Sequence, residues 1–300
     1  MSDNNSSELF SLDTERVKSV GFHPTEPLLA AALYSGKIMI IETNNWETIK
    51  IIEPSTDKPA RCVRWIPNKK WIICAGDDSA ISAYDYLTGQ LVCVLEGAHS
   101  DFIRCLSVSP SNLTVLSCSD DTLVHSYAIE NERLVKKRVF RGHDHYVMDV
   151  KFNPMDANTF ATASLDQSIK FWDIQSAQIK FSLNGHSKGI NCIEFCKYSS
   201  IPLIASAGDD FVIMIWNYQK KTCIASLYGH RAPINSIKFH EHSSSIVSTG
   251  EDEAVITWDS TNYTKKTEKD CGKQRGWTID CKSRCVAIGF DSGLVALNID

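Results

Sequence analysis

Residues 142–183 read GHDHYVMDVKFNPMDANTFATASLDQSIKFWDIQSAQIKFSL and contain four short apolar runs separated by turn residues. The runs open at Val147, Phe160, Ile169 and Ile179, and each is rich in β-branched or aromatic side chains. Turn signals between such runs, without a helical period, predict four short β-strands. A chain built from units of this kind should have an all-β fold.

The same pattern recurs along the 300-residue chain with a period of 42 to 44 residues. One position opens the first run of each unit, and its seven occupants are Lys18, Arg61, Arg104, Met148, Asn191, Asn235 and Trp277. We call these the recurring positions. A repeat of this length, marked by Gly-His and Trp-Asp pairs, is typical of WD-repeat β-propellers. We therefore expect one domain, a single seven-bladed propeller with the recurring positions on its innermost strands.

His, Asp and Trp also recur in a fixed relation within the units. Asp166 precedes Trp172 by 6 residues, and His143 precedes Asp166 by 23 residues. These residue types could suggest catalysis, but their repetition in several units favours a buried hydrogen-bonded group that supports each blade. Such groups are retained because an unsatisfied buried partner costs about 1–3 kcal/mol. We expect no catalytic residue and no enzyme activity.

The two ends of the chain should close the ring together. The last unit ends with a third strand at residues 293–299, and an apolar run at residues 8–13 precedes the first unit. A missing fourth strand would leave a bare sheet edge. We predict that about residues 8–13 complete blade seven, that the propeller spans residues 8–300, and that residues 1–7 form a disordered tail.

Composition limits the class of function. A net charge of −5 disfavours broad nucleic-acid binding, which depends on clustered lysines and arginines. The 11 cysteines lack CxxC spacing, which favours buried thiols in a reducing compartment over a disulfide framework or a metal site. The amino-terminal residues do not resemble a secretory signal, and no apolar run approaches the roughly 18 residues of a membrane-spanning helix. We expect a cytosolic protein without metal or cofactor.

Two further series of residues should lie on the same face as the recurring positions. The residue before each predicted turn forms one series: Tyr34, Asp77, Asp120, Leu165, Asp209, Glu251 and Phe290. We call these the pre-turn positions. Residues two or three places before the recurring positions lie between the two rings, and those of interest are Arg16, Asp101, Phe102 and Tyr146.

The charges on this predicted face are divided. Blades one to three contribute four cations, Arg16, Lys18, Arg61 and Arg104. Arginine and lysine favour an anion such as a carboxylate. Blades two to four contribute acids and rings, Asp77, Asp101, Asp120, Phe102 and Tyr146. Acidic and aromatic groups favour an ammonium ion. A peptide with a lysine near a free C-terminal carboxylate would match both halves; alternatively, the charges only solvate the face and pair with each other.

Longer stretches resemble the first propeller of the coatomer beta-prime family. They include ERVKSVGFHPTEP at 15–27, AHSDFIRC at 98–105, HYVM at 145–148 and WNYQKKTC at 216–223. That family coats retrograde Golgi vesicles and captures membrane proteins by cytosolic C-terminal dilysine signals. The resemblance implies a COPI coat subunit, cytoplasmic and peripheral on Golgi membranes and COPI vesicles, with the coatomer alpha and epsilon subunits as partners. It also implies a longer parent chain, with a second propeller and a helical solenoid.

The resemblance implies roles for individual residues. The peptide carboxylate would be held by Arg16, Lys18 and Arg61. The signal lysine would be held by Asp101 and Asp120, with Tyr34 and Tyr146 packing alongside. Asp77, Phe102 and Arg104 flank this site by position alone, and Arg104 could instead pair with Asp120 or Asp101 and orient them.

Other interpretations remain open. The coatomer alpha subunit has a similar first propeller and takes the same class of signal. It typically carries a long insertion after the fourth blade, where this chain has only the short hairpin of residues 173–185. A generic WD-repeat interaction scaffold would have the same fold without the peptide site. A nucleic-acid or phosphoinositide surface is disfavoured because acidic residues adjoin the cations.

Overall fold

The computed structural model describes residues 6–54, 56–111 and 113–299, and its strands form seven sheets of four antiparallel strands. Strand β1 (Ser6–Asp13) belongs to the last blade. Blades one and two comprise β2 Val17–Phe22, β3 Leu28–Leu33, β4 Ile38–Glu42, β5 Glu47–Ile52, β6 Ala60–Ile66, β7 Trp71–Gly76, β8 Ile81–Asp85 and β9 Leu91–Leu95. A single 3-10 turn, Pro67–Lys69, follows β6.

The remaining blades repeat this arrangement. Blades three and four comprise β10 Ile103–Val108, β11 Thr114–Ser119, β12 Val124–Glu130, β13 Arg133–Phe140, β14 Val147–Phe152, β15 Thr159–Ser164, β16 Ser168–Asp173 and β17 Ile179–Asn184. Blades five and six comprise β18 Ile190–Phe195, β19 Leu203–Gly208, β20 Val212–Asn217, β21 Thr222–Tyr228, β22 Ile234–His240, β23 Ser245–Gly250, β24 Ala254–Asp259 and β25 Lys265–Asp270. Blade seven comprises β26 Gly276–Lys282, β27 Cys285–Phe290 and β28 Gly293–Ile299, followed outward by β1. The predicted all-β, seven-bladed propeller is confirmed.

Burial falls from the second strand of a blade to the outermost one. Strand β3, with the sequence LLAAAL, is buried at every residue because neighbouring blades cover both of its faces. Strand β25, with the sequence KKTEKD, is the outer strand of blade six and has no fully buried residue. The core therefore lies between the blades, which explains why the second strands read as continuous apolar or small runs.

The ring is closed by a strand from the beginning of the chain. Strand β1 pairs antiparallel with β28, with Leu12 opposite Leu294, which confirms the predicted closure of blade seven. The predicted start of this strand is wrong by two residues, because β28 extends to Ile299 and gives Ser6 and Ser7 backbone partners. These two residues therefore belong to the sheet and not to the predicted tail. Residues 1–5 and residue 300 lie outside the described residues.

The recurrent His, Asp and Trp residues form buried hydrogen-bonded groups. In blade four, His143 Nδ1 lies 2.6 Å from Asp166, and its Nε2 lies 2.6 Å from Thr162 Oγ1. Trp172 Nε1 donates to the same threonine oxygen at 2.8 Å. Equivalent groups are built on His99, His186 and His230. These polar residues pair with one another inside the scaffold, which supports the structural interpretation over catalysis.

Side chains one place after the recurring positions join neighbouring blades near the axis. Five of the seven accept a hydrogen bond from a backbone N–H of the next blade. The pairs are Ser19 with Val63 (3.2 Å), Cys62 with Leu106 (3.1 Å), Asp149 with Ile193 (3.0 Å), Ser236 with Ile279 (3.0 Å) and Thr278 with Val20 (3.2 Å). These bonds fix the position of each innermost strand relative to the next, and so they hold the recurring positions in a ring.

Candidate functional site

The seven recurring positions line a central channel of about 630 Å³. The pre-turn positions are tied to this ring by one repeated backbone contact. The N–H of Asp77 donates to Pro59 O at 3.0 Å, and that of Asp120 donates to Phe102 O at 3.0 Å. Equivalent bonds occur in the other five blades. The two series therefore share one face, as predicted.

Blade seven departs from the predicted register. Its pre-turn residue is Asp291 and not Phe290, because the N–H of Asp291 donates to Arg275 O at 3.1 Å. Between equivalent backbone pairs, the hairpin of blade seven turns through four residues, 290–293, whereas that of blade four turns through five, 164–168. The shorter turn moves an acid into the position that the prediction gave to a phenylalanine.

Asp291 collects three donors on this face. Arg16 Nε lies 2.6 Å from Oδ1, Trp277 Nε1 donates to the same oxygen at 2.8 Å, and Arg275 Nε donates to Oδ2 at 2.8 Å. Burial raises the pKa of Asp291, but these hydrogen bonds and the charge of Arg16 lower it below the ordinary value. The carboxylate therefore stays ionised and fixes Arg16 at the channel mouth.

Lys18 lies among cations. Its Nζ is 3.1 Å from the centroid of the Trp277 ring. Burial lowers its pKa, and the charges of Arg61, Arg16 and Arg104 lower it further, to about 7. Asp291 opposes this effect only in part. A carboxylate placed beside Lys18 would offset the repulsion, so this point of the channel mouth favours an anion.

Two arginines are already paired with pre-turn acids. Arg61 donates to both oxygens of Asp77, and its Nη2 lies 3.0 Å from Oδ2. Arg104 donates to both oxygens of Asp120, and its Nε lies 2.6 Å from Oδ1. The Asp120 side chain is only 4% exposed. Arg104 thus orients Asp120, as the alternative interpretation allowed, and a ligand lysine would meet Asp120 only by sharing it with Arg104.

Asp101 is a more accessible acid of this face. It is half-buried, and its Oδ1 accepts the N–H of Phe102 at 2.8 Å. Three exposed rings of the candidate site each lie beside an arginine. The Cζ-to-centroid distances are 4.8 Å for Arg16 and Tyr34, 5.4 Å for Arg61 and Phe102, and 5.9 Å for Arg104 and Tyr146. The arginines are therefore held between an acid and a ring, which limits their side-chain freedom.

Some residues of the site were missed by sequence reasoning. Arg275, Trp277 and Asp291 of blade seven form one network with Arg16 and Lys18 of blade one. The sequence did contain a signal for Arg275. It precedes the recurring position Trp277 by two residues, just as Arg16 precedes the recurring position Lys18.

A second cavity of about 480 Å³ opens beside Tyr34, Asp77 and Phe102. Glu15 and Asp57 also line it, and sequence reasoning did not select either residue. The backbone N–H and hydroxyl of Ser35 donate to Glu15 at 2.7 and 2.6 Å.

The described ranges contain neither a cluster of metal-binding side chains nor a membrane-spanning helix. Within them, no group of three or more His, Cys, Asp or Glu side chains is placed to hold a metal ion. Among the same residues, no helix has the length and apolar content of a membrane span.

Comparisons with known proteins identify similar sequences. The family model "WD domain, G-beta repeat" matches residues 134–173, 177–217 and 221–259, and the "Anaphase-promoting complex subunit 4 WD40 domain" matches residues 24–111. Coatomer subunit beta' of Drosophila melanogaster is 38% identical over 95% of this chain and 31% of its own length. Coatomer subunit beta' of Rattus norvegicus is 36% identical over 95% of this chain and 32% of its own length. The chain thus spans about a third of these relatives.

Proposed function

We propose that this chain, a WD-repeat β-propeller homologous to coatomer subunit beta' over 95% of its length, binds the C-terminal dilysine signals of membrane proteins. In this role it acts within a COPI coat, beside the alpha and epsilon subunits, in transport from the Golgi to the endoplasmic reticulum. It works in the cytoplasm, peripheral to Golgi membranes and vesicles. The proposed activity is binding and not catalysis, because the repeated His–Asp pairs serve the scaffold.

The observation that carries the proposal is the environment of Lys18. It lies against an indole ring and is surrounded by arginines whose nearest acids are already engaged. A guanidinium group has five N–H donors, so the bond from Arg16 to Asp291 leaves donors for a ligand. A C-terminal carboxylate between Arg16, Lys18 and Arg61 would gain charge-assisted hydrogen bonds and reduce the repulsion among the three cations.

We call Arg16, Lys18 and Arg61 the carboxylate clamp. The acids and rings next to this clamp would bind the lysine of the peptide. Asp101 offers a half-buried carboxylate, and the exposed rings of Phe102 and Tyr146 lie along the same face. An ammonium group is stabilised both by a carboxylate and by aromatic faces. A lysine a few residues before the C-terminus would thus be recognised together with the carboxylate, which gives specificity for tails over internal lysines.

We expect a dilysine peptide with a free C-terminus to bind with a Kd near the micromolar range, about −8 kcal/mol. The same peptide with a C-terminal amide should bind at least about 30-fold more weakly, because lost charge-assisted contacts at a desolvated pair cost about 2–5 kcal/mol. Isothermal titration calorimetry with both peptides measures this. A scrambled peptide that keeps its lysines and free carboxylate controls for net charge. Equal affinity of the acid and the amide would exclude the carboxylate clamp and favour a generic interaction scaffold.

Binding should weaken as the pH rises from 6 to 8.5. Lys18 has a pKa of about 7, so it is charged at the lower pH and largely neutral at the higher one. A bound carboxylate favours the charged form, so binding takes up a proton and affinity falls by about tenfold per pH unit at most. The peptide carboxylate and lysine do not titrate in this range.

The matched control for this pH dependence is K18R, because arginine stays charged throughout the range. Its affinity should vary little with pH. A dependence that survives in K18R would have to come from another group and would contradict the role given to Lys18.

A further inference from the structure

Two thiols meet near the centre of the channel. Cys62 and Cys105 occupy the place after Arg61 and Arg104 on strands β6 and β10. Their Sγ atoms are 3.9 Å apart. Both residues line the channel, although they are only 2% and 6% exposed. A disulfide has an S–S length of about 2.05 Å, so a bond would require the sulfurs to approach by roughly 2 Å.

The surroundings give the two thiols different chemistry. The Leu106 N–H donates to Cys62 Sγ at 3.1 Å, and Arg64 Nη2 lies 3.4 Å from Cys105 Sγ. Burial raises the pKa of Cys62, but the hydrogen bond shared with Cys105 and the positive charge of Arg64 lower it to about 6. The hydrogen bond shared with Cys62 and burial raise the pKa of Cys105 to about 12. The nearby Lys151 also favours the thiolate at Cys62. These opposite shifts favour the thiolate at Cys62 and the protonated thiol at Cys105.

We infer that Cys62 and Cys105 are a modification site at which hydrogen peroxide forms a disulfide between blades two and three. The Cys62 thiolate attacks one peroxide oxygen, the O–O bond breaks, and the released hydroxide takes a proton to become water. Cys62 is then a sulfenic acid. The sulfur of Cys105 attacks that of Cys62, the S–O bond breaks, and the hydroxide leaves with the Cys105 proton as a second water. The two sulfurs supply the two electrons that reduce the peroxide.

Serine is a suitable test residue at both positions. Ser19 and Ser236 occupy the equivalent place in blades one and six, and they accept the inter-blade hydrogen bond that Cys62 accepts in blade two. Cys62→Ser and Cys105→Ser should therefore fold. Cys192 occupies the equivalent place in blade five, and its Sγ lies 3.7 Å from Ala207 O, so Cys192→Ser is a matched control.

The experiment uses the whole chain with exposed Cys223 replaced by serine, which prevents bonds between molecules. This leaves 10 of the 11 thiols. After peroxide treatment and denaturation, thiol titration should find two fewer free thiols, and the loss should reverse with dithiothreitol. Adding Cys192→Ser should still give a loss of two. Adding Cys62→Ser or Cys105→Ser should prevent the paired loss.

Peptide mass spectrometry of the oxidised protein identifies the bond without relying on any further variant. A cross-link between the peptides that contain Cys62 and Cys105 supports the inference. A bond between Cys105 and Cys118, which face each other across β10 and β11, would overturn it. So would an unchanged number of thiols after treatment. Neither readout involves a dilysine peptide, so the outcome is independent of the proposed function.

Discussion

Replacing Arg16 and Lys18 together by alanine abolishes binding of a dilysine peptide and leaves the propeller folded. Hydrogen bonds to charged groups contribute about 1.5–3 kcal/mol each, so losing two partners of one carboxylate weakens binding by at least about 100-fold. The fold should survive because Asp291 keeps Arg275 and Trp277 as donors. Removing Lys18 also removes a positive charge that the folded protein disfavours, because the pKa of Lys18 is lowered there. Calorimetric titration measures the loss, and thermal unfolding verifies the fold.

The matched control for this double variant is Arg231→Ala. Arg231 is 66% exposed in its side chain and pairs with Glu268 on the surface. Its removal changes the net charge without touching the channel mouth, so affinity should stay within about twofold, as expected for an exposed ion pair. If the double variant bound the peptide as tightly as Arg231→Ala does, the site would have to lie elsewhere on the propeller.

Deleting residues 1–13 should destabilise the whole domain. The deletion removes β1, exposes the edge of β28 and takes Phe10 away from Trp46, on which its ring stacks at 5.1 Å. Each backbone hydrogen bond contributes about 1 kcal/mol net, and the buried apolar surface adds to this. The sum is comparable to the about 5–15 kcal/mol that stabilises a typical domain. We expect a lower melting temperature or aggregation through the bare edge.

Two control experiments test whether the loss of stability comes from the removal of β1. Deleting only residues 1–5 leaves β1 intact and should preserve the melting temperature. A synthetic peptide of residues 6–13, added in excess, should restore part of the stability lost in the longer deletion. An unchanged melting temperature after removal of residues 1–13 would contradict the role of β1 in closing the ring.

The fold was predictable because it depends on local patterns repeated at one period. The spacing from Asp166 to Trp172 recurs in other blades, so each repeat supports the assignment of the others. The exact start of β1 was not predictable, because it depends on the register in which β1 pairs with β28, and this register shifts between Glu8 and Phe10. Long-range pairing of this kind leaves little local signal.

The sequence predicted many of the residues that lie at the candidate site, but not which of them pair with each other. The recurring positions placed Lys18, Arg61 and Arg104 on one ring. Which acid engages which arginine depends on distances across the face, and these follow from turn lengths. One residue fewer in the hairpin of blade seven was enough to hide Asp291, which holds Arg16 in place.

The bond between Arg16 and Asp291 has a mechanical consequence. It joins blade one to blade seven, and Arg16 follows the end of β1 by only three residues. In the proposed role, the peptide is tethered to a membrane, so tension on the captured tail would pass through Arg16 into the junction where the two ends of the chain meet. The backbone hydrogen bonds between β1 and β28 would then bear part of this tension. The force at which cargo is released would depend on those bonds as well as on the charged residues that bind the tail.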